Sequence, residues 1–217
     1  MDAYIQEVTE TGSKPPRLLL HSCCAPCSSY CIEYLCEFLE ITVFYYNPNI
    51  SESEEYKKRV VEQKRLIECY NSEIVSESRK GFKISVVEGE YDPQDFFDIA
   101  KGYENCPERG ERCHRCYELR LRRTAEYMKE TGGFDCFATT LTLSPLKDSA
   151  KINEIGERLS AEYGVKFLVS DFKKKNGYLR SIELSKEYDL YRQDYCGCVY
   201  SKAQRQREKA EKERKQE

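Results

Sequence analysis

Residues 17–31 read RLLLHSCCAPCSSYC, and the organisation of the whole chain can be worked out from this stretch. The apolar run Arg17-Leu-Leu-Leu-His21 is typical of a buried strand. From about Cys24 to Leu39, apolar residues recur every three to four positions, which places them on one face of a helix. The stretch therefore predicts a strand that passes directly into a helix, with several thiols at the turn between them.

The alternation of strand and helix continues along the chain. Residues 41–46, ITVFYY, are rich in β-branched and aromatic side chains and end at Asn47-Pro48-Asn49, where proline cannot extend a strand. The elements that follow are predicted at 51–69 (helix), 82–87 (strand), from Asp92-Pro93 (helix), 113–131 (helix), 134–140 (strand), 144–163 (helix) and 165–169 (strand). This order predicts an α/β fold, a Rossmann-like (HUP-like) parallel sheet with helices on both faces.

The chain is predicted to form one domain with two polar ends. Its 217 residues are enough to bury a core without cross-links. We expect residues 1–16 to be a polar leader, 17–201 a single α/β domain and 202–217 a charged C-terminal tail. No apolar run approaches the roughly 20 residues of a membrane helix, so we expect no membrane contact and a cytoplasmic location.

The chain has 12 cysteines, which need an explanation. A reducing cytosol does not sustain a framework of structural disulfides, which leaves metal binding, catalysis and core packing as their roles. Those expected to be small core residues, because they fall within helix or strand patterns, are Cys31, Cys36, Cys69 and Cys136. The pattern does not decide the roles of Cys27 and Cys106.

Two pairs of thiols have the character of a metal site. Cys113 and Cys116 have the C-x₂-C spacing that lets two sulfurs bind one metal centre from the start of a helix. Cys23 and Cys24 are adjacent and follow the first strand, at the sheet edge where ligands bind in open α/β folds. Four sulfurs suit a [4Fe–4S] cluster or a structural zinc. Because adjacent cysteines depart from the usual zinc spacing, the pattern favours iron–sulfur.

Two more polar stretches follow predicted strands, Asn47-Pro48-Asn49 and residues 139–144. The carboxyl ends of parallel strands lie at one edge, so we expect thiols, amides and hydroxyls to converge there in a pocket. Turn formation and helix capping explain the individual Asn and Ser residues equally well.

The segment Cys196-Gly197-Cys198 forms a third thiol group. One glycine between two thiols allows a tight disulfide ring that departs from relaxed geometry, and a strained disulfide is easily reduced. This spacing indicates redox cycling, with a further pair of metal ligands as the alternative. Cys24-Ala-Pro-Cys27 offers a rival interpretation, because a C-x-x-C motif after a strand is typical of thioredoxin-like redox sites.

The chain resembles the cobalamin-independent epoxyqueuosine reductases, the QueH family, in the segments HSCCAPCSS, YNPNI, ERCHRCYELRL, TTLTLSPLKD, DFKKKNGYLRS and SKEYDLYRQDYCGCVYS. The resemblance covers roughly residues 18–201, and the joint occurrence of the Cys-Cys, C-x₂-C and CGC elements makes it specific. It implies that the 17–201 domain is a metalloenzyme. The implied oxidoreductase activity reduces epoxyqueuosine to queuosine at the wobble position of tRNA anticodons, the last step of queuosine synthesis.

The resemblance also assigns the thiols. It implies that a [4Fe–4S] cluster is held by Cys23, Cys24, Cys113 and Cys116. Cys196 and Cys198 would form a catalytic, redox-active disulfide. An additional iron beside the cluster is implied as well, with Cys27, Cys106 or a carboxylate as candidate ligands.

The implied partners are tRNA carrying epoxyqueuosine and an electron donor that the sequence does not identify. The net charge is only −3 with 34% charged residues, so tRNA contact must come from local patches. The candidate cations near the cysteines, with salt-bridged helix surface as the alternative, are Arg109, Arg112, Arg115, Arg120, Arg122, Arg123 and Lys173, Lys174, Lys175. Candidates for stacking on an anticodon base, with core packing as the alternative, are Tyr178, Tyr188, Tyr191 and Tyr195.

Proton donors for the reduction are expected among Asp194, Tyr195 and His114. Two other function classes remain open from the residues themselves. One is a thiol–disulfide oxidoreductase that uses Cys24 and Cys27, and the other is a non-catalytic zinc module that binds RNA.

Overall fold

Within residues 1–12 and 14–214, which the computed structural model describes, four parallel strands form one sheet. They are β1 (Arg17–His21), β2 (Glu40–Tyr45), β3 (Ser85–Glu88) and β4 (Cys136–Thr139). Their order across the sheet is β3-β2-β1-β4, so β1 and β2 are the central strands. In the register, Leu19 of β1 lies between Thr42 of β2 and Phe137 of β4.

Helices connect and flank these strands. They are α1 (Asp2–Thr11), α2 (Ala25–Leu35), α3 (Ser53–Val75), α4 (Pro93–Ala100), α5 (Glu111–Thr131), α6 (Ser149–Tyr163), α7 (Gly177–Glu187) and α8 (Val199–Arg214), with a 3-10 turn at Thr140–Leu143. Local chemistry sets several of the starts. Asp92 caps α4 by accepting a 2.8 Å hydrogen bond from Gln94 N, and Pro93 supplies the first helical position.

The central strand β1 is covered on both faces. Successive side chains of a strand point to opposite sides, so Leu18 and Leu20 face one layer and Leu19 faces the other. The first layer contains α2 and α3, and the second contains α5 and α6. All three leucines are fully buried, which contributes about 2 kcal/mol each to burial free energy. The predicted α/β fold with helices on both faces is confirmed.

Two sequence predictions in this region are wrong in detail. Residues 165–169, expected as a fifth strand, form only an isolated parallel bridge between Phe167 and Phe137. The segment leaves the sheet at Ser170, whose N–H donates a 3.2 Å hydrogen bond to Asn153 Oδ1 instead of continuing the pairing with β4. Helix α6 begins at Ser149 and is capped by Asp148, because Ser144 ends the preceding 3-10 turn.

The two polar ends both contain helices. Residues 1–16, predicted to be a leader, include α1, whose Ile5 is buried in the core. The predicted tail, 202–217, continues α8 from Val199. Ser13 and residues 215–217, parts of these two predictions, lie outside the described residues. In the described part of the chain, every helix is too short or too polar to cross a membrane.

Candidate metal and redox site

Three thiols meet at the start of α2. Cys24 is the N-cap residue, with extended backbone (φ −176°, ψ 159°), and Pro26 lies in the first turn. The sulfurs of Cys23 and Cys24 are 3.8 Å apart, and the sulfurs of Cys23, Cys24 and Cys27 all lie within 4.8 Å of one another. Two thiolates bound to one tetrahedral ion at about 2.3 Å would have nearly the same sulfur separation. These residues can therefore hold a metal.

The pKa values of these three thiols are shifted in opposite directions. The pKa of Cys23 is lowered well below its ordinary value because the thiols of Cys24 and Cys27 donate hydrogen bonds to its sulfur. Donating to Cys23 raises the pKa of Cys24 to about 11, and it also raises the pKa of Cys27 well above its ordinary value. Negative charge in this group is thus favoured on Cys23, and metal binding by all three sulfurs would release protons from Cys24 and Cys27.

The carboxyl ends of β1, β2 and β4 converge on this group, as predicted. The backbone N–H of Cys23 donates to Thr140 Oγ1 at 3.3 Å, and the hydroxyl of Thr140 reaches Cys23 Sγ at 3.6 Å. The amide of Asn47 donates to Ser22 O at 2.8 Å. Side chains that follow β4 and β2 therefore fix the turn after β1 that carries Cys23.

His21 supports the same edge as a neutral, buried imidazole. Its Nε2 lies 3.1 Å from Tyr46 O, which only accepts, so the proton is assigned to Nε2 and Nδ1 accepts from the Thr139 hydroxyl at 2.9 Å. Burial, followed by the nearby Arg120 cation, lowers the pKa of His21 to about 3. His21 ties β1 to the strand on each side of it.

A second group of thiols lies beside the first. Cys113 and Cys116 lie in the first two turns of α5, and they line a small cavity together with Cys196 and Cys198. Burial raises the pKa of Cys116 to about 12 and that of Cys198 to about 11. All four are free thiols.

The two thiol groups face adjoining cavities. Cys23, Cys24 and Cys27 line the larger one, of about 120 Å³, which also reaches Tyr178 and Arg192. The residues that line both cavities are Glu108, Leu146, Lys147 and Cys196. These four residues form a wall between the two cavities. Among the described residues, the thiols close enough to share one ion are Cys23, Cys24 and Cys27, whereas Cys113 and Cys116 lie on the other side of this wall.

The CGC segment is held in place by distant residues. Arg59 Nη1 donates to Cys196 O at 3.2 Å, and Asn49 Nδ2 lies 3.4 Å from the same oxygen and 3.8 Å from Cys196 Sγ. Ser201, at the start of α8, accepts from Cys196 N at 3.0 Å. Gly197 has φ 114°, a conformation that L side chains rarely adopt.

Three cations surround the thiols, and of these only Arg120 was expected near the cysteines from the sequence. Arg59 forms a 2.7 Å ion pair with Glu55, and Arg120, only 1% exposed, donates to Cys116 O and Asn47 Oδ1 at 3.3 Å each. Lys147 is the third, on the loop after the 3-10 turn. The helical spacing of Cys113, Cys116 and Arg120 could have indicated that they share a face. No spacing signal identifies Arg59 or Lys147.

The expected basic surface around Cys113 is largely paired within the protein. Arg122 pairs with Glu118 at 2.9 Å, and Arg123 with Glu130 at 3.1 Å. Arg109 donates to the Pro145 carbonyl, and Arg115 forms an ion pair with Glu111. Arg112 is buried and donates to the carbonyls of Tyr103, Glu104 and Cys106. Arg120 is also buried. The salt-bridged alternative is correct for Arg115, Arg122 and Arg123, whereas the other three arginines bond carbonyl or amide oxygens within the protein. In the lysine run, Lys173 pairs with Asp171 at 3.3 Å and Lys175 with Asp2 at 2.6 Å.

The four candidate tyrosines differ in their surroundings. Tyr188 donates to Glu73 at 2.7 Å, and Lys58 lies 3.4 Å above the ring of Tyr191. Tyr195 lines the larger cavity with Arg59 above its ring at 5.2 Å. Tyr178 is 38% exposed at the mouth of that cavity, and within the described chain no ring or cation contacts its ring. Tyr178 is thus the one available for an external base.

Two of the expected proton donors are poorly suited. Asp194 forms a 2.5 Å ion pair with Lys209, whose hydrogen bond lowers the pKa of the carboxyl, so Asp194 is ionised at neutral pH. His114 pairs with Glu111 at 3.7 Å and is absent from the lining of the larger cavity. Tyr195 remains a candidate by position.

The expected core cysteines are confirmed for three positions. Cys31, Cys36 and Cys136 are fully buried in the apolar layers, whereas Cys69 is partly exposed on α3. Cys106 is partly exposed, and its carbonyl accepts from Arg112.

Comparison with known proteins identifies the family of the chain. A family model described as "Epoxyqueuosine reductase QueH" matches residues 18–204. The curated epoxyqueuosine reductase QueH of Streptococcus pyogenes serotype M1 is 43% identical over 195 residues, which covers 90% of this chain and 74% of the relative. That of Thermotoga maritima is 36% identical over 201 residues, covering 91% and 96%. The chain therefore belongs to the epoxyqueuosine reductase QueH family, a family of oxidoreductases.

Proposed function

We propose that this chain reduces epoxyqueuosine to queuosine in the wobble position of tRNA, the activity after which its relatives are named. The observation that carries the proposal is that two groups of thiols line adjoining cavities, which share part of their lining, at the carboxyl edge of the sheet. Cys196 lines both cavities. A site of this kind can combine a metal centre with a dithiol, and deoxygenation of an epoxide needs such a source of electrons.

The residues present fit a [4Fe–4S] cluster. Cys23, Cys24, Cys113 and Cys116 are thiols at the start of α2 and α5, and both cysteines of each pair have neighbouring cations. Cations beside thiolates offset the cost of burying negative charge. When bound there, the cluster would supply single electrons. Cys27, which lies within 4.8 Å of Cys23 and Cys24, suits the additional iron.

Cys196 and Cys198 suit the role of the two-electron donor. Conversion of an epoxide to an alkene takes two electrons and two protons and releases the oxygen as water. Oxidation of two thiols to one disulfide provides both the electrons and the protons. The CGC pair is in the thiol state and is held at the cavity wall by Arg59, Asn49 and Ser201. An external electron donor must then reduce the disulfide after each turnover.

Tyr178 is the proposed stacking surface for the anticodon base. Single-stranded RNA is commonly recognised by stacking of unstacked bases on aromatic faces. Tyr178 lies at the mouth of the cavity that contains Cys24, Cys27 and Cys196. A base stacked on its ring would direct the modified group toward the thiols.

The other two function classes receive less support. A thioredoxin-like site uses a cysteine with a lowered pKa, whereas the pKa values of Cys24 and Cys27 are both raised. A zinc module would use Cys23, Cys24, Cys113 and Cys116 but would leave the CGC pair without a role. The reductase is the function that uses every thiol group at this edge.

The test is metal analysis followed by an activity assay. Anaerobically purified protein is analysed for iron, labile sulfide and zinc with its visible spectrum, and is then incubated with tRNA that carries epoxyqueuosine and a chemical reductant. We expect about four irons per chain or slightly more, with sulfide, and formation of queuosine. One zinc with no sulfide, after anaerobic reconstitution with iron has also failed, would contradict the reductase mechanism.

A further inference from the structure

Lys147 differs from the other two cations of the site. Arg59 is tied to Glu55 and the carbonyl of Cys196, and Arg120 to Cys116 O and Asn47 Oδ1. The ammonium of Lys147 has neither a hydrogen-bond acceptor nor a carboxylate partner anywhere in residues 1–12 and 14–214. Its donors are therefore not used to hold the fold together.

The position of Lys147 is as unusual as its lack of partners. Its side chain lines both cavities, on the wall where Cys196 also lines both. Burial alone would lower the pKa of Lys147, but the neighbouring ionisable sulfurs of Cys196, Cys23 and Cys27, of which Cys23 has the lowered pKa, outweigh burial and raise the pKa of Lys147 above its ordinary value. Lys147 thus remains a cation at neutral pH. It faces the space where substrate would meet the dithiol.

An ammonium has three N–H donors, and those of Lys147, which is partly exposed at the cavity wall, are not paired within the described part of the protein. A ligand that brings an acceptor into the cavity would satisfy them. Cations and hydrogen-bond donors aimed at an oxygen that gains negative charge are an efficient means of transition-state stabilisation. An epoxide oxygen, which becomes negatively charged as its C–O bonds break, is such an acceptor.

We propose that Lys147 is a catalytic residue that binds the epoxide oxygen of the substrate and stabilises its negative charge as the ring opens. The inference deepens the proposed function and rests on it. In the overall reaction, both C–O bonds break and a C=C bond forms, while the thiols of Cys196 and Cys198 become a disulfide. Their two protons and the released oxygen form water, and Lys147 keeps its charge throughout.

The test compares Lys147→Met, which keeps the length of the side chain without its charge, with Lys147→Arg, which keeps a cation. Lys101→Met, on the exposed surface, is the matched control. Each protein is reduced, mixed in excess with tRNA carrying epoxyqueuosine, and followed through a single turnover. Iron and sulfide content, tRNA affinity and thermal midpoint are measured in parallel.

We expect Lys147→Met to slow the single turnover by about 100-fold, with metal content, tRNA affinity and stability unchanged, because one oxygen-binding donor is lost. Lys147→Arg should recover part of the rate, and Lys101→Met should match wild type. In Lys147→Ala, added ethylammonium should restore activity in proportion to its concentration, which a structural role would not allow.

Two results would overturn the inference. One is a wild-type rate in Lys147→Met, and the other is loss of iron and sulfide in that variant, which would assign Lys147 to the metal site. If wild-type protein with a full metal complement forms no queuosine, the proposed function itself is wrong. The inactivity of wild type distinguishes that failure from a failure of Lys147 alone.

Discussion

The carbonyl oxygen of Cys196 accepts a 3.2 Å hydrogen bond from Nη1 of Arg59, although 137 positions separate the two residues in the chain. Arg59 lies on α3 and is fixed by its 2.7 Å ion pair with Glu55. The CGC segment is thereby attached to the helix that follows β2. Cys196 and Cys198 are consequently positioned by the body of the domain and not only by their own short loop.

Gly197 is predicted to be required between the two thiols. A Cβ at this position would lie 2.8 Å from Ile50 Cγ1, and the backbone has φ 114°. We expect Gly197→Ala to lower the free energy of unfolding by roughly 2–4 kcal/mol through strain and overpacking. Urea denaturation measures the loss. The matched control is Gly102→Ala, which has φ 82° but no atom within 4 Å and should cost about 1 kcal/mol. Equal losses in the two variants would disprove the steric argument.

Cys113 is predicted to be necessary for the metal centre. We expect Cys113→Ser to lose most of its iron and labile sulfide, because one thiolate ligand of the proposed cluster is removed. Cys69→Ser, which changes a partly exposed thiol on α3, should keep both. Iron and sulfide analysis of the two anaerobic preparations, with visible spectra, decides the matter. Full metal content in Cys113→Ser would show that the cluster has other ligands.

Cys196 is predicted to be needed for turnover but not for assembly. Cys196→Ser should retain iron, sulfide and tRNA affinity and should lose multiple-turnover activity, because a single thiol cannot form the intramolecular disulfide. Queuosine formed per enzyme over time is the measurement, with Cys69→Ser again as the control. Unchanged multiple turnover in Cys196→Ser, with the metal centre intact, would rule out the dithiol role.

Tyr178 is predicted to contribute to tRNA affinity by stacking. Tyr178→Ala should weaken binding by about 1–3 kcal/mol, or roughly 5–150-fold, whereas Tyr178→Phe should bind like wild type because the aromatic face remains. Leu179→Ala, at the adjacent exposed position that does not line the cavity, is the control. Affinities come from titration of labelled anticodon stem-loop. Equal affinity in Tyr178→Ala and wild type would place the base elsewhere.

His21 is predicted to make stability depend on pH. Its pKa is about 3 in the folded protein and about 6.5 when unfolded, so the unfolded chain binds the extra proton between these values. Stability is therefore lost as pH falls below about 6.5, by roughly 1.4 kcal/mol per pH unit. Between pH 7 and 5.5 this amounts to about 1 kcal/mol.

The measurement for His21 is the free energy of unfolding from urea titrations at pH 7, 6 and 5.5. The variant His21→Gln cannot take up this proton. Its free energy of unfolding should therefore fall by about 1 kcal/mol less than that of wild type between pH 7 and pH 5.5. The comparison concerns the slopes, so a constant loss of stability in the variant does not affect it. Parallel curves for wild type and His21→Gln would show that His21 is protonated in the folded protein.

Local sequence determined most of the fold. The apolar run of β1, the helical periodicity after Cys24 and the break at Pro48 each depend on neighbouring residues, because strand and helix formation follow the spacing of side chains along the chain. The thiol pairs were identified for the same reason. The segment 165–169 was the exception, since the N–H of Ser170, which would continue its pairing, donates to the side chain of Asn153 on α6 instead.

Only the tertiary structure decided what surrounds the thiols. The sequence did not show that Arg59 and Lys147, from separate loops and helices, approach cysteines at the end of β1. It also did not decide that Arg122 and Arg123 form ion pairs with neighbouring glutamates and that Arg120 is buried. Sequence spacing fixes which residues share a face of one element. Charge and burial at a site depend on how separate elements pack, and that information lies in long-range contacts.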